Sequence, residues 1–148
     1  MKNIIVTALF LLLSTNAFAC YDESLSDKTN LDNCLVEAEQ GYAEAQYILG
    51  YMYSKGLGVT QDYKEAVKWY TKAAEQGHAD AQHNLGFMHD NGQGVVQDYK
   101  SAHMWFNIAG ANGSSKGAEN RDIVAKEMTP SQIEKAQDMA REWMDTYQ

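Results

Sequence analysis

One stretch of this chain could support hydrolytic chemistry. Gly113-Ser114-Ser115-Lys116-Gly117 matches G-x-S-x-G, the nucleophile-elbow pattern of serine hydrolases. That pattern exposes a nucleophile only on a sharp strand-to-helix turn beside an oxyanion hole. Here it falls in a connector rich in glycine and serine between two predicted helices, with no predicted strand upstream. We therefore expect the match to be coincidental and Ser115 not to be catalytic.

Four histidines could form a metal site or an acid–base site: His78, His83, His89 and His103. Two imidazoles four residues apart share one helix face, but the spacings here are five, six and fourteen. The sequence also lacks the H-E-x-x-H and C-x-x-C patterns of zinc sites. We expect surface or groove histidines, with no bound metal and no other cofactor.

Cys20 and Cys34 are the only cysteines, and the segment before them predicts the compartment that they meet. Residues 1–19 combine a basic start, a short apolar run and small residues just before Cys20, which is typical of a secretory signal peptide. An exported chain enters an oxidising compartment, where an even number of cysteines favours pairing. We predict a Cys20–Cys34 disulfide that stabilises the fold by roughly 3 kcal/mol and pins the N-terminal segment.

A second interpretation stays open at Cys20, because a cysteine at the first mature position is also where bacterial lipoproteins are acylated. Ala17 and Phe18 match that signal poorly, since it usually carries Leu three residues before the cysteine and a small residue two before it. A zinc site would need cysteines much closer together than these two. The disulfide is preferred, and the product is expected to be periplasmic or secreted.

The charge balance excludes several classes of partner. The sequence has 12 Lys and Arg against 20 Asp and Glu, a formal charge of −8. Such an acidic chain is poorly suited to bind nucleic acid or an anionic membrane surface. No second apolar run approaches the roughly twenty residues that a membrane span needs. The length suits one domain, and we expect a monomer.

The most informative feature is an internal repeat with a period of 36 residues. Residues 41–76 laid over residues 77–112 without a gap are identical at 17 positions. The matches include the two tryptophans Trp69 and Trp105 and the run Gln-Asp-Tyr-Lys in each copy. A fixed period of this length is typical of stacked helical repeats.

Each copy predicts a pair of helices. In the second helix of the first copy, apolar residues from Tyr63 to Ala74 recur at helical spacing and form one stripe, which neighbouring helices must cover. In the first helices, Gly50 and Gly86 would let the paired helix approach closely. Trp69 and Trp105 recur at one repeat position, so we assign them to the packing core.

The pattern Ala-x-x-x-Leu-Gly, followed by Gly-x-Gly-Val-x-x-Asp-Tyr-x-x-Ala-x-x-Trp, resembles the Sel-one-like (Sel1-like) repeat family, relatives of the tetratricopeptide-type solenoids. The resemblance implies an all-α, right-handed α/α superhelical stack of about seven helices. It divides the mature chain into a disulfide-pinned capping helix, two full repeats, and a degenerate repeat with a C-terminal capping helix, at residues 20–40, 41–76, 77–112 and 113–148.

The resemblance also implies a binding surface, because the first helix of each repeat lines the concave side of tetratricopeptide-type stacks. The side chains carried to that surface differ between the two copies, whereas the packing positions agree. Their aromatic and acidic groups would favour a partner segment that carries Lys or Arg. The ten candidate partner-binding residues are Glu44, Tyr47, Tyr51, Ser54, Lys55, Asp80, His83, Phe87, Asp90 and Asn91.

The sequence therefore predicts an exported, non-catalytic adaptor that holds a partner protein on its concave surface. Two alternatives come from the family resemblance. One is a hydrolase of β-lactams or cell-wall fragments, although the cysteine-per-repeat pattern of those relatives and any S-x-x-K motif are absent. The other is a periplasmic immunity protein against a delivered toxin. A structural role in an envelope assembly stays open as well.

Overall fold

The computed structural model describes residues 20–147; the predicted signal peptide, residues 1–19, lies outside this range. Seven α-helices and one 3-10 turn make up the described chain, which contains no β-strand. In chain order the helices are α1 Asp27–Glu39, α2 Ala43–Lys55, α3 Tyr63–Glu75, α4 Ala79–Asn91, α5 Tyr99–Ala111, α6 Ser115–Val124 and α7 Pro130–Tyr147, and the 3-10 turn Ala125–Glu127 precedes α7. The all-α prediction is confirmed.

The helices of the stack pack in sequence order, each against the next from α1 to α6. Aspartates start the second helix of each repeat: Asp62 accepts hydrogen bonds from the first backbone amides of α3, and Asp98 does the same for α5. Gly56 and Gly92 end α2 and α4 in the left-handed conformation, with φ of 71° and 66°. Local signals therefore set both sides of the turn inside each repeated hairpin.

Close contact between paired helices depends on a glycine in each repeat. A Cβ built on Gly50 would lie 2.7 Å from a ring carbon of Tyr70, and one on Gly86 would lie 2.5 Å from a ring carbon of Phe106. Both rings are buried, with at most 2% of their surface exposed. The prediction that these glycines allow close approach is confirmed.

A second kind of close glycine contact joins successive repeats, and an equivalent contact joins α1 to the first repeat. A Cβ on Gly94 would lie 2.4 Å from the carbonyl oxygen of Tyr63, the first residue of α3. A Cβ on Gly58 would lie at the same distance from the carbonyl oxygen of Asp27, the first residue of α1. Helix α1 therefore contacts the first repeat in the same way that α3 contacts the second.

The N-terminal segment is fastened to α1 covalently and by hydrogen bonds. Cys20 and Cys34 form the predicted disulfide, and both side chains are buried. Asp22 and the buried Asn30 exchange two hydrogen bonds of 2.9 Å, one from each residue. The disulfide and these bonds hold the chain before α1 against the end of the stack.

Two glutamines that the repeat conserves form a buried ladder across the helix pairs. Gln46 donates to the carbonyl oxygen of Ala38, and Gln82 donates to that of Ala74. Their own amide oxygens accept hydrogen bonds of 2.8 and 2.9 Å, from Gln76 and Asn112 respectively. The ladder satisfies polar groups inside the stack that would otherwise be costly to bury.

The C-terminal helix departs from the repeat geometry. Thr129 and Gln132 form a reciprocal capping box, so α7 begins at Pro130. The helix then packs mainly on α5, where Trp143 meets Trp105 edge-on with ring centroids 5.3 Å apart. Trp105 is buried in the core, whereas Trp69 is only partly buried and has the Lys72 ammonium 4.1 Å from its ring centroid.

Candidate functional site

An open groove of about 500 Å³ lies along the first helices of the two repeats. Helices α2 and α4 supply most of its lining, and α3 contributes two tyrosines. The groove is lined by Tyr47, Tyr51, Ser54, Lys55, Tyr63, Tyr70, His83, Asn84, Phe87, Met88 and Gln93. Aromatic rings and neutral polar groups therefore dominate the surface that it offers.

Six of the ten sequence-predicted binding residues line this groove: Tyr47, Tyr51, Ser54, Lys55, His83 and Phe87. The other four, Glu44, Asp80, Asp90 and Asn91, lie on the same two helices but outside the lining. Glu44 and Asp80 stand in the first turns of α2 and α4. Asp90 stands next to the last residue of α4. The structure thus separates an aromatic groove from carboxylates at both of its ends.

Tyr51 and Phe87 occupy equivalent repeat positions and are the most exposed rings of the groove. Their exposed fractions are 44% and 47%. Tyr47 is different, because it is half-buried, packs against the core and stacks on His78 with ring centroids 4.6 Å apart. The sequence interpretation treated the three rings alike, whereas the structure makes Tyr47 partly a packing residue.

Tyr70 forms part of the groove although its ring belongs to the core. Its hydroxyl lies 3.5 Å from the Ser54 hydroxyl, at the limit of a hydrogen bond, and Asn84 is a second partner. Burial raises the pKa of Tyr70 to about 12, and the hydrogen bonds from Ser54 and Asn84 oppose that shift. The hydroxyl is therefore neutral at physiological pH and available as a donor or acceptor.

His83 stands between the groove and the next helix of the stack. The Asn120 amide nitrogen donates to its Nε2 over 2.9 Å, and its ring lies 5.5 Å from that of Phe106. Burial lowers the pKa of His83, while Asn84 and Asp80 partly offset this effect. The ring is neutral at pH 7, so His83 offers a hydrogen-bonding surface and little charge.

The Glu44 carboxylate is held by the start of α4. Its Oε2 lies 2.9 Å from Nε2 of His78, and the other ring nitrogen of His78 accepts the amide hydrogen of Ala81. With Nδ1 accepting, Nε2 carries the proton and donates to Glu44. This arrangement fixes one carboxylate at the α2 and α4 N-terminal end of the groove.

Sequence reasoning missed four of the lining residues, Tyr63, Asn84, Met88 and Gln93, and assigned Tyr70 only to the core. Position 84 differs between the copies, since Ile48 stands at the equivalent place, and this divergence was a usable signal. Met88 and Tyr63 agree between copies and therefore resemble packing residues in the sequence.

Of the four histidines, His83 lines the groove, whereas His103 is buried with 2% exposed, so the prediction of surface or groove histidines is wrong for His103. Ser115 is exposed at the first position of α6, on a helix-to-helix turn and not on the strand-to-helix turn that its motif requires. Gly117 of the same motif packs against α5, where a Cβ would lie 2.8 Å from the Gly110 nitrogen. Within residues 20–147, no three His, Cys, Asp or Glu side chains are grouped to hold a metal ion.

None of the helices between residues 20 and 147 is long and apolar enough to cross a membrane.

Comparisons with known proteins agree with this geometry. The Sel1 repeat family model matches residues 43–78 and 79–114. A protective antigen present in uropathogenic Escherichia coli strains, which displays an SLR fold, is 36% identical with a TM-score of 0.79; the match covers 81% of this chain and 26% of the antigen. A search of the curated proteins gives no match.

Two further solved structures are similar. The Sel1 repeat protein from Oxalobacter formigenes is 38% identical with a TM-score of 0.64, over 66% of this chain and 40% of that protein. Helicobacter pylori cysteine-rich protein B is 25% identical with a TM-score of 0.61, over 64% and 71% of the two chains. The chain thus spans about a quarter of the first structure's length and two fifths of the second's. With two Sel1 repeats and the SLR fold, this chain belongs to the Sel1-repeat family.

Proposed function

We propose that the protein is an exported, non-catalytic scaffold that binds a partner protein in the groove of α2 and α4. The Sel1-repeat fold is typically a scaffold for protein–protein interaction. A curved stack of helix pairs offers an extended open surface of the kind that repeat proteins use for binding. Small-molecule chemistry usually needs an enclosed pocket that excludes water, whereas this groove is open.

One observation carries the proposal. Tyr51 and Phe87 expose nearly half of their surface at equivalent positions, while the glycines and rings behind them are buried. Large rings at adjacent repeats form a ready anchor, because aromatic side chains bury much area at low conformational cost and are enriched at binding hot spots. The groove therefore supplies the apolar centre that an interface requires.

Export is supported by the disulfide and by the sequence before it. A buried Cys20–Cys34 bond persists in an oxidising compartment, and such bonds are rare in the cytosol. The mass of the intact mature chain from the envelope fraction tests this part of the proposal. Cleavage after Ala19 without added lipid is the expected result, and a diacylated Cys20 would contradict the disulfide at that site.

Site-specific photocrosslinking tests the binding surface. We would place p-benzoylphenylalanine at position 87 in the full-length chain and, as matched controls, at the exposed positions Val36 on α1 and Tyr147 on α7. Irradiation in cells that express the protein should give one discrete adduct from position 87 and none from the controls. Equal adducts from all three positions would show nonspecific contact, and adducts only from the controls would place the binding surface elsewhere.

A further inference from the structure

The groove carries carboxylates at one end and a lining lysine at the other. The first turns of α2 and α4 present Glu44 and Asp80, which are equivalent repeat positions. The last residue of α2 is Lys55, which lines the groove and has its ammonium 5.9 Å from the centre of the Tyr51 ring. Asp90, next to the last residue of α4, stands at the same end as Lys55. The aromatic centre of the groove therefore lies between one end with two carboxylates and another end with the Lys55 ammonium and the Asp90 carboxylate.

Some of these charges have no ionic partner in the part of the chain that the structure describes. Lys55 and Asp80 make no ion pair within 4 Å among residues 20–147, whereas Glu44 is engaged by His78. The Asp80 charge nevertheless reaches the groove, since after burial it is the largest factor that raises the pKa of Tyr47. A positive group seated beside Tyr47 would thus meet an uncompensated carboxylate.

The length of α2 sets the distance between the two ends. Glu44 and Lys55 are separated by eleven helical steps, or about 16 Å along the axis. Asp80 stands at the same level on the neighbouring α4, roughly 10 Å to the side, so the diagonal from Asp80 to Lys55 is about 19 Å. An extended peptide advances about 3.3 Å per residue, so roughly six residues span this distance. The two exposed rings, Tyr51 and Phe87, lie between the ends.

We propose, resting on the function proposed above, that the occupant of the groove is an extended segment of a partner protein with a defined charge pattern. A basic residue of the segment pairs with Asp80, and an acidic residue about six positions away pairs with Lys55. An aromatic or aliphatic side chain between them packs on Tyr51 and Phe87. The side-chain charges thereby fix the register of the segment in the groove.

Synthetic peptides test this pattern directly. We would label nonapeptides of glycine and serine with fluorescein, each with a central tryptophan, and place arginine and glutamate six positions apart, on either side of the tryptophan. Companion peptides replace the arginine or the glutamate by glutamine. Fluorescence anisotropy at low salt would measure their binding to the mature protein, to Lys55→Gln and to Asp80→Asn.

Two further variants control for net charge. Lys72→Gln removes a lysine that lies over Trp69 outside the groove lining, and Asp145→Asn removes an exposed carboxylate on α7. Lys55→Gln should weaken only peptides that keep glutamate, and Asp80→Asn only those that keep arginine, each by about two- to fivefold. The control variants should change all peptides alike, and the specific differences should disappear at high salt.

Each remaining outcome decides against the proposal. Equal binding of N-acetyltryptophanamide would make the groove a small-ligand pocket, and self-association that blocks the peptides would make a second copy the occupant. If no peptide binds, or the charge-specific differences are missing, the charge pattern is wrong. In those cases the crosslink at position 87 still distinguishes the two proposals: an adduct there keeps the scaffold function, and its absence removes both.

Discussion

Gly86→Ala is the sharpest test of how the helix pairs fit together. The added methyl would stand 2.5 Å from one ring carbon of Phe106 and 2.6 Å from another, against the 3.5 Å or more of a normal carbon contact. Such overpacking typically costs 1 to 3 kcal/mol, while replacing glycine by alanine inside a helix returns about 1 kcal/mol. We therefore expect a net destabilisation of about 1 kcal/mol, equivalent to a fall of about 4 °C in the melting temperature.

The sign should reverse once the ring is removed. In a Phe106→Ala background the methyl has room, so the helical preference alone remains and Gly86→Ala should stabilise by about 1 kcal/mol. Urea unfolding of the four proteins then gives a coupling energy of about 2 kcal/mol between the two positions. The equivalent pair, Gly50 and Tyr70, provides an independent replicate, with a 2.7 Å approach. A stabilising Gly86→Ala in the wild-type background would refute the close packing.

Three other predictions concern stability. Replacing both Cys20 and Cys34 by serine should lower the free energy of unfolding by roughly 3 kcal/mol, measured against the wild type with and without reductant. Gln82→Leu should cost about 2 kcal/mol in urea unfolding, because two buried hydrogen-bonding partners lose their match. Burial, with a further contribution from Arg121, lowers the pKa of His103 in the folded protein. The contribution of His103 to the free energy of unfolding should therefore be complete above about pH 6.5, the ordinary pKa of histidine, and should be lost as the pH falls through the lowered pKa of the folded protein. His103→Val, which matches the first repeat, should flatten that acid limb of the stability profile.

The repeated hairpins could be predicted from the sequence because their signals are local. Asp62 and Asp98 start helices, Gly56 and Gly92 end them, and the conserved apolar stripe fixes the buried face. Each 36-residue copy contains its own helix-starting aspartate, helix-ending glycine and apolar stripe, so the two copies support the same prediction independently. The ends of α2 and α4 and the starts of α3 and α5 followed from these residues.

The path of α7 could not be predicted in the same way. The capping box fixes where the helix begins, but its docking depends on a distant contact between Trp143 and Trp105. Arg121 and Asp122 replace the Leu-Gly pair of the full repeats and pair with each other, so the usual close hairpin contact is missing there. The repeat period and the spacing of residues carry no information about which helix α7 packs against.

The groove was partly predictable. The family resemblance identified the helices that present it and six of its residues. Divergence between the copies agreed with that choice, because packing positions must match while presented ones need not. The sequence did not identify Tyr70 as a groove residue, because its ring belongs to the apolar stripe of α3, although its hydroxyl reaches the groove beside Ser54. The sequence did not identify Gln46 and Gln82 as buried residues, because polar side chains are usually exposed, whereas these two form hydrogen bonds inside the stack.

The central claim is that buried, repeated residues build the stack and that the exposed rings of the groove bind. The most direct test is the yield of crosslinked partner from p-benzoylphenylalanine at the groove position Gln93, normalised to folded protein. We expect Tyr51→Ala combined with Phe87→Ala to reduce this yield at least about tenfold, as the loss of two hot-spot anchors should. The free energy of unfolding should change by less than about 1 kcal/mol. An undiminished yield in the folded double variant would contradict the account.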